Sequence, residues 1–470
     1  MQLHRDAALI ALLASLVGWT GIVALDPSAH ARILNLGVLA FIPFATLMWR
    51  RGIAISSQRI HLAAFIAHLP FLFAAPHFSD DVYRYLWDGR MTLSGIDPYA
   101  YAPDDAALRG MRDATWILIN HKEIPTIYPA LAQMLFALGR ALGGASPLIG
   151  WKLLLLCMTH ALAHVAGRQA VLDESASRSS LVAALVLLQP QLVLETLLDG
   201  HIDILAGGGV LLLWQASRAS RALPVLGALA LAIGTKLVGV LLLPVLFRKH
   251  RPLMLAGIAL TGLITAPLLH AGYASERDAG ALEYARRWEG NAGAYALIEY
   301  GFRQALRSPG QGRIEVPGLL ALEGSSLHPN AQIPIKKRPP AALVHPHQLA
   351  RWLSRLLVFA VVLAASLRRG RDADARALRD TLLLVLLLSP QLHPWYVLWC
   401  LPIEALFGGF AATVASVLML SVHAWHGAPP VWAVWVEHLL IALAWGAERA
   451  TLTRFSEPGA TGLDRPTASR

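Results

Sequence analysis

Residues 223–247 read LPVLGALALAIGTKLVGVLLLPVLF, a stretch whose only charged side chain is Lys236. It is long enough for one bilayer crossing, since about 17 to 25 apolar helical residues cover the hydrocarbon core. One crossing, however, puts Arg248, Lys249 and Arg251 on the opposite side from Arg218 and Arg221. Basic residues of short loops collect on the cytoplasmic side of a membrane. Two short helices meeting at Gly234-Thr235-Lys236 return the chain to its starting side and unite both basic clusters. The expected structure here is a broken hairpin with a cationic tip.

The same kind of apolar run recurs on either side. Spans are expected at 7–25, 33–49, 60–75, 148–170, 180–197, 203–217, 222–234, 236–247, 253–269, 349–367, 378–391, 394–407, 409–423 and 430–447. With the hairpin in place, Arg50, Arg51 and Arg59 and the cluster Arg368, Arg369 and Arg371 fall on the same side as the two clusters above, the cytoplasm. Composition agrees: 56% of residues are hydrophobic and 15% charged, where a soluble chain carries about 25% charged. The net charge of +10 resides largely in these loop clusters and gives no reason to expect a nucleic-acid partner. Cys157 and Cys400 lie in apolar runs, so neither a disulfide framework nor a thiolate metal site is indicated. The fold class is therefore an all-α polytopic membrane protein, a bundle of roughly 11–14 transmembrane helices with two outer loop regions.

This topology divides the chain into N-terminal transmembrane helices (1–75), a first outer loop with an acidic motif and a re-entrant or surface helix (76–147), central helices (148–270), a long outer loop (271–346), C-terminal helices (347–450) and a polar cytoplasmic tail (451–470). All ten tyrosines, at 83, 85, 99, 101, 128, 273, 284, 295, 300 and 396, lie in the loops or turns of the outer side. Interfacial tyrosines belong at both membrane faces. Their one-sidedness points to a structured outer layer or a ligand surface. Lys336-Lys337-Arg338 in the second loop offers contact with anionic membrane lipids, or is a solvated charge run.

The chemistry concentrates on that side. Ser79-Asp80-Asp81-Val82-Tyr83-Arg84-Tyr85-Leu86-Trp87-Asp88-Gly89-Arg90 follows directly on a span. Adjacent carboxylates at a membrane surface repel one another and lose hydration, which suits one of them to act as a general base. Asp80 or Ser79 capping a helix that begins at Asp81 is the plainer alternative. Lys236 and His393 sit at the ends of apolar segments, where polar groups are costly and usually functional. Both can hold a phosphate, and Lys236 can equally snorkel to the interface. Arg351 and Arg355 share a helix face and offer a second clamp. Glu195, Asp199 and Asp203 are spaced by four, but Gly200 is expected to break the helix and leave His201 and Asp203 in a turn. That turn leaves room for a divalent cation. Oxygen-ligand sites need more partners than it names, so no metal ligand and no cofactor are assigned.

Four motifs in order carry a resemblance. The Asp80-Asp81 segment continues through Gly95-Ile96-Asp97-Pro98-Tyr99, Tyr101-Ala102-Pro103-Asp104-Asp105 and Asn120-His121-Lys122-Glu123-Ile124-Pro125-Thr126-Ile127-Tyr128-Pro129. Leu198-Asp199-Gly200-His201-Ile202-Asp203, Gly234-Thr235-Lys236-Leu237 and Gln391-Leu392-His393-Pro394-Trp395-Tyr396 follow. Over roughly residues 76 to 405 the chain resembles bacterial membrane glycosyltransferases of the GT-C superfamily, near the polyprenol-phosphate-mannose-dependent mannosyltransferases (GT87-like). One departure is Tyr128-Pro129-Ala130, where a second proline is usual. The resemblance implies a hexosyltransferase of the inner membrane with a polyprenyl-phosphate sugar donor, a lipid or glycan acceptor and an active site facing the periplasm. It implies Asp80 or Asp81 as base, and Lys236, His393 and Arg84 as holders of the donor phosphate. Tyr83, Trp87, Asp88, His201, Asp203, Tyr128, Trp395 and Tyr396 become candidates for sugar or acceptor binding. A secondary transporter is the rival from another class, but transporters place ionisable groups near mid-membrane within repeated halves, and no repeat is visible. A flippase or binding protein for lipid-linked sugars shares the ligand but needs no base.

Overall fold

The structure is a computed structural model that describes residues 55–173, 176–218, 222–243, 251–274, 280–306, 314–317, 341–344, 346–369, 375–425 and 429–456. The expected spans 7–25 and 33–49, the Lys336-Lys337-Arg338 run and the tail beyond residue 456 lie outside them. The described residues are mainly helical, with irregular chain concentrated in 94–129 and two short antiparallel strands, β1 (Ile314–Pro317) and β2 (Ala341–Val344), paired Ile314 to Val344 and Pro317 to Ala341 within the second long loop.

The helices are α1 (Ser57–Phe73), α2 (Asp81–Leu93), α3 (Ala130–Gly143), α4 (Pro147–Asp173), α5 (Ala176–Leu187), α6 (Asp203–Arg218), α7 (Ala222–Thr235), α8 (Arg251–Ala274), α9 (Gly280–Arg287), α10 (Gly293–Ala305), α11 (Pro346–Arg369), α12 (Ala375–Leu388), α13 (Leu401–Phe407), α14 (Ala411–Met419) and α15 (Val431–Ser456). Pro147–Arg168 and Val431–Ala450 are long and apolar enough to cross a membrane unbroken. Ser179–Leu187 and Leu192–Leu198 pass the same test together but bend by 62° at their break, as in a broken span or a re-entrant loop. Pro190 sits in that break, where its missing N–H leaves the helical ladder incomplete. The hairpin breaks where the sequence places it: α7 ends at Thr235, Lys236 is extended (φ −147°, ψ 138°), and a tight helical turn follows over Leu237–Leu242.

Apolar side chains point both inward and outward, as they must when lipid is the solvent. Leu255, Ile258 and Leu263 of α8 are exposed, as are Leu356 and Phe359 of α11 and Trp432, Leu439 and Leu443 of α15. A water-soluble chain rarely leaves such contiguous apolar faces open. Inside, Tyr85, Phe136, Trp151, Leu205 and Leu398 join one cluster across α2, α3, α4, α6 and the tight helical turn Pro394–Trp399. The chain is an all-α membrane protein.

Small residues set the helix spacing. A Cβ on Gly150 of α4 would lie 2.1 Å from Gly143 N and 2.4 Å from Gly139 O, so α3 and α4 touch backbone to backbone. In lipid such close approach supplies the dispersion contacts that hydrophobic exclusion cannot. Gly150→Ala is therefore expected to cost about 1–3 kcal/mol through forced separation of the two helices. Gly227→Ala in α7, with nothing near its would-be Cβ, should be neutral or better. Thermal unfolding of the two variants in one detergent checks this, and equal midpoints would refute the close packing.

Candidate active site

The loop before α2 is tied down from two directions. Lys152 of α4 is buried and donates to the carbonyls of Phe71 (3.0 Å) and Ala74 (2.7 Å), satisfying the open end of α1. Asp199 accepts from the backbone N–H of His77 at 2.7 Å and of Phe78 at 3.1 Å. These contacts fix the segment that delivers the two acids. Asp80 occupies the N-cap position of α2 but makes no capping hydrogen bond. Both acids are instead bridged by Asn120, whose Nδ2 donates to Asp80 Oδ1 (2.6 Å) and Asp81 Oδ1 (2.8 Å). Asp80 is exposed, while Asp81 turns inward.

The acids form part of the wall of a cavity of about 820 Å³. Lys236 faces them from the tip of the broken hairpin. Its ammonium lies over the rings of Tyr128 (5.1 Å) and Tyr396 (5.5 Å), with Asp203 Oδ2 behind it at 3.5 Å. Asp203 is itself held by the indole N–H of Trp399 at 2.8 Å. The late turn contributes a column of three rings: His393 stacks on Trp395 (4.3 Å between centroids), and Trp395 stacks on His201 (3.7 Å). Gly200, at φ +81°, makes the turn that sends His201 into this stack, and its missing Cβ leaves room for Val82.

The sequence-derived candidates thus sort by position. Asp80, Asp81, Arg84, Tyr128, Lys236, His393, Trp395 and Tyr396 line the cavity. His201 and Asp203 are fully buried directly behind it, the one against Trp395 and the other against Lys236. Trp87 instead packs with Met91, Leu108 and Ile119 in a separate cluster, and half-buried Tyr83 packs at its edge. Asp88 is buried and accepts from Arg84 Nε at 2.8 Å. Arg84 spends a second N–H on the Ile124 carbonyl (2.9 Å), and its Nη2 has no hydrogen-bond partner. Arg351 and Arg355 do not reach the cavity; they pair with Glu289 at 2.5 and 3.5 Å.

Burial lifts the Asp81 carboxyl above its ordinary range, while the Asn120 hydrogen bond and the Lys236 charge hold it back and Asp80 adds to the rise. Burial, with the charge of Lys236 next, pushes His393 down to about 3, so it is a neutral imidazole beside a cationic lysine. The cavity lining carries two carboxylates, an ammonium, a guanidinium N–H without a hydrogen-bond partner and stacked rings.

Residues 7–268 match the profile described as alpha-(1->6)-mannopyranosyltransferase, N-terminal domain, of the MptA_B family. The chain belongs to the MptA_B family. No curated protein and no solved structure matches it. Membership makes it a glycosyltransferase, of the GT-C type the motif order resembles, and its reaction a mannosyl transfer. The match takes in Asp80, Asp81, His201, Asp203 and Lys236 and ends before the His393–Tyr396 turn that folds onto the same cavity.

Several residues of this MptA_B-family cavity escaped the sequence reading. Tyr284 and Trp288 come from the second long loop and stack on each other (5.1 Å), and the Tyr284 hydroxyl lies 2.7 Å from that of Tyr396. Main-chain bonds bring them there: Gly290 N–H donates to the Pro390 carbonyl (3.1 Å), and Leu392 N–H to the Gly290 carbonyl (3.0 Å). The one-sided tyrosines were the signal for Tyr284. Asn120 opens the Asn120–Pro129 run that carries the resemblance, but nothing local assigns it a role, since that depends on two acids 40 and 39 positions away. Removing its donated bonds destabilises the ionised carboxylates. Asn120→Ala is thus expected to move the acidic limb of the rate–pH profile to higher pH, because Asp81 then holds its proton longer. An unmoved limb would mean that Asp81 does not titrate in that step.

Proposed function

We propose that this MptA_B-family enzyme transfers mannose from a polyprenyl-phosphate donor to a mannose-bearing lipid or glycan acceptor on the periplasmic face of the inner membrane. The two long loops, 76–147 and 271–346, then form its outer layer, and the basic loop clusters face the cytoplasm. The observation that supports this reading is the convergence of Asp81, Lys236 and the His393–Trp395 stack on one cavity.

In this mechanism the acceptor oxygen bonds to the anomeric carbon as the bond from that carbon to the phosphate oxygen breaks. The acceptor's proton passes to the Asp81 carboxylate. The departing polyprenyl phosphate gains negative charge, which Lys236 and the unpartnered Nη2 of Arg84 stabilise, with a hydrogen bond from neutral His393. Tyr128 and Tyr396 hold the Lys236 side chain, and Asp203 fixes its position from behind. Trp395 and the Tyr284–Trp288 pair provide flat surfaces for sugar rings. A single displacement inverts the anomeric centre, and the family description points to the 6-hydroxyl of an acceptor mannose.

Purified protein in proteoliposomes, given radiolabelled polyprenyl-phosphate mannose or a nucleotide-linked mannose with a mannose-bearing acceptor, tests the proposal. Product is expected from the lipid-linked donor alone, with the linkage read by NMR. Transfer from the nucleotide sugar, or uptake of the lipid-linked sugar without transfer, would overturn it.

A further inference from the structure

Beneath the cavity, the widened helical turn Leu192–Leu198 does something an ordinary helix cannot. Its wide hydrogen bonds, Asp199 N–H to Leu194 O (3.0 Å) and His201 N–H to Glu195 O (2.8 Å), bring His201 back over Glu195. Such wide turns are uncommon and cluster at functional sites. The result is a fully buried triad of Glu195, Asp199 and His201, with one ligand-type atom from each within 4.8 Å of the others. On an unbroken helix the spacing by four would make Asp203 the third member. Asp203 instead turns to Lys236 and Trp399, and His201 takes its place.

Two atoms of this triad are left without a hydrogen-bond partner: Glu195 Oε2 and His201 Nε2. They belong to side chains with no exposed surface and face each other at 3.8 Å. A carboxylate oxygen and an imidazole nitrogen left open inside a protein are costly unless something sits between them. Among the described residues, Glu195 has ion-pair partners only in the imidazoles of His201 and His423. The other atoms of the triad are already oriented. His423 Nε2 donates to Glu195 Oε1 at 2.6 Å, and the Asp199 carboxylate is held by the N–H groups of His77 and Phe78. Hydrogen-bonded carboxylates of this kind are what metal ligands show around them.

We propose that Glu195, Asp199 and His201 bind one divalent transition cation, of the zinc or manganese class, directly under the cavity floor. An ion about 2.1 Å from both open atoms would subtend an angle of roughly 130° between them, within the range of four- and five-coordinate sites. One imidazole with two carboxylates suits zinc or manganese better than magnesium or calcium, which prefer oxygen alone. The ion would neutralise the two buried acids and fix His201 under Trp395. It is a site beyond the transfer reaction and does not depend on which donor the cavity accepts.

The test is metal content, read without any activity assay. Full-length protein purified in detergent without chelators is expected to carry one zinc or manganese per chain by elemental mass spectrometry. After stripping with a chelator, it should rebind Zn2+ in competition with a fluorescent indicator. Glu195→Gln and His201→Gln should lose the ion, and His423→Asn should weaken it by roughly ten- to a hundredfold. Should the first two variants fail to fold, a rise in the wild-type thermal midpoint with Zn2+ or Mn2+, and none with Mg2+, carries the same test. Stripped wild type that binds no ion, or Glu195→Gln that binds it as tightly as wild type, would overturn the proposal and leave a shared proton as the neutralising species.

Discussion

Asp81→Asn is expected to lower the turnover number by roughly 10²- to 10⁴-fold, the range that a positioned general base supplies. The substitution keeps the side chain's shape and one acceptor oxygen for Asn120, but the amide cannot take the acceptor's proton. Donor affinity should change little, because Lys236, Arg84 and His393 are untouched. Asp80→Asn should have the smaller effect. Asp80 is exposed and shares only Asn120 with its neighbour, whereas Asp81 points inward with His201 Nδ1 4.0 Å from its Oδ2. Single-turnover kinetics with labelled donor measure both variants. Equal losses, or a loss confined to donor binding, would remove Asp81 from the base role.

Arg379→Met is expected to be the most destabilising single change, at about 3–5 kcal/mol, the cost of leaving buried charges without their partner. Arg379 is fully buried in α12. It donates to Glu404 of α13, to both carboxylate oxygens of Glu448 in α15, and to Asp380 Oδ1 at 3.1 Å. The two glutamates in turn cap α14: Glu448 accepts from the N–H groups of Phe410 and Ala411, and Glu404 from those of Ala412 and Thr413. One guanidinium therefore ties four helices. Arg379→Lys should rescue little, since an ammonium has no planar fork to reach Glu404 and Glu448 together. Thermal unfolding in detergent reads both variants, and a midpoint close to wild type for Arg379→Met would show that the network carries no stability.

Much of this site was legible because its residues announce themselves locally. Lys236 is the only charge in a long apolar run, and the positive-inside rule alone requires the chain to break beside it. Asp80-Asp81 and His393-Pro394-Trp395-Tyr396 stand out for the same reason, as polar or aromatic groups next to spans. What sequence could not give were relations between distant positions. Arg379 meets Glu404 and Glu448 across 25 and 69 residues, and nothing in any one helix signals the pairing. The break at Gly200 was legible, but the widened turn at Leu192–Leu198 before it was not. Glu195, Asp199 and Asp203 would stack on a regular helix, but the turn substitutes His201 for Asp203 and hands the latter to Lys236. Trp87 and Asp88 were drawn in by their closeness to Asp81 in sequence. The helical period sends Trp87 into a neighbouring cluster and Asp88 onto Arg84.

The clasp between Gly290 and the turn before Leu392 is made only of main-chain atoms. The side chains of Tyr284 and Trp288, which the clasp holds at the cavity wall, take no part in it, so their exchange leaves it fastened. The chemistry of that wall can change at those two positions while the acids, the lysine and the scaffold beneath them stay as they are.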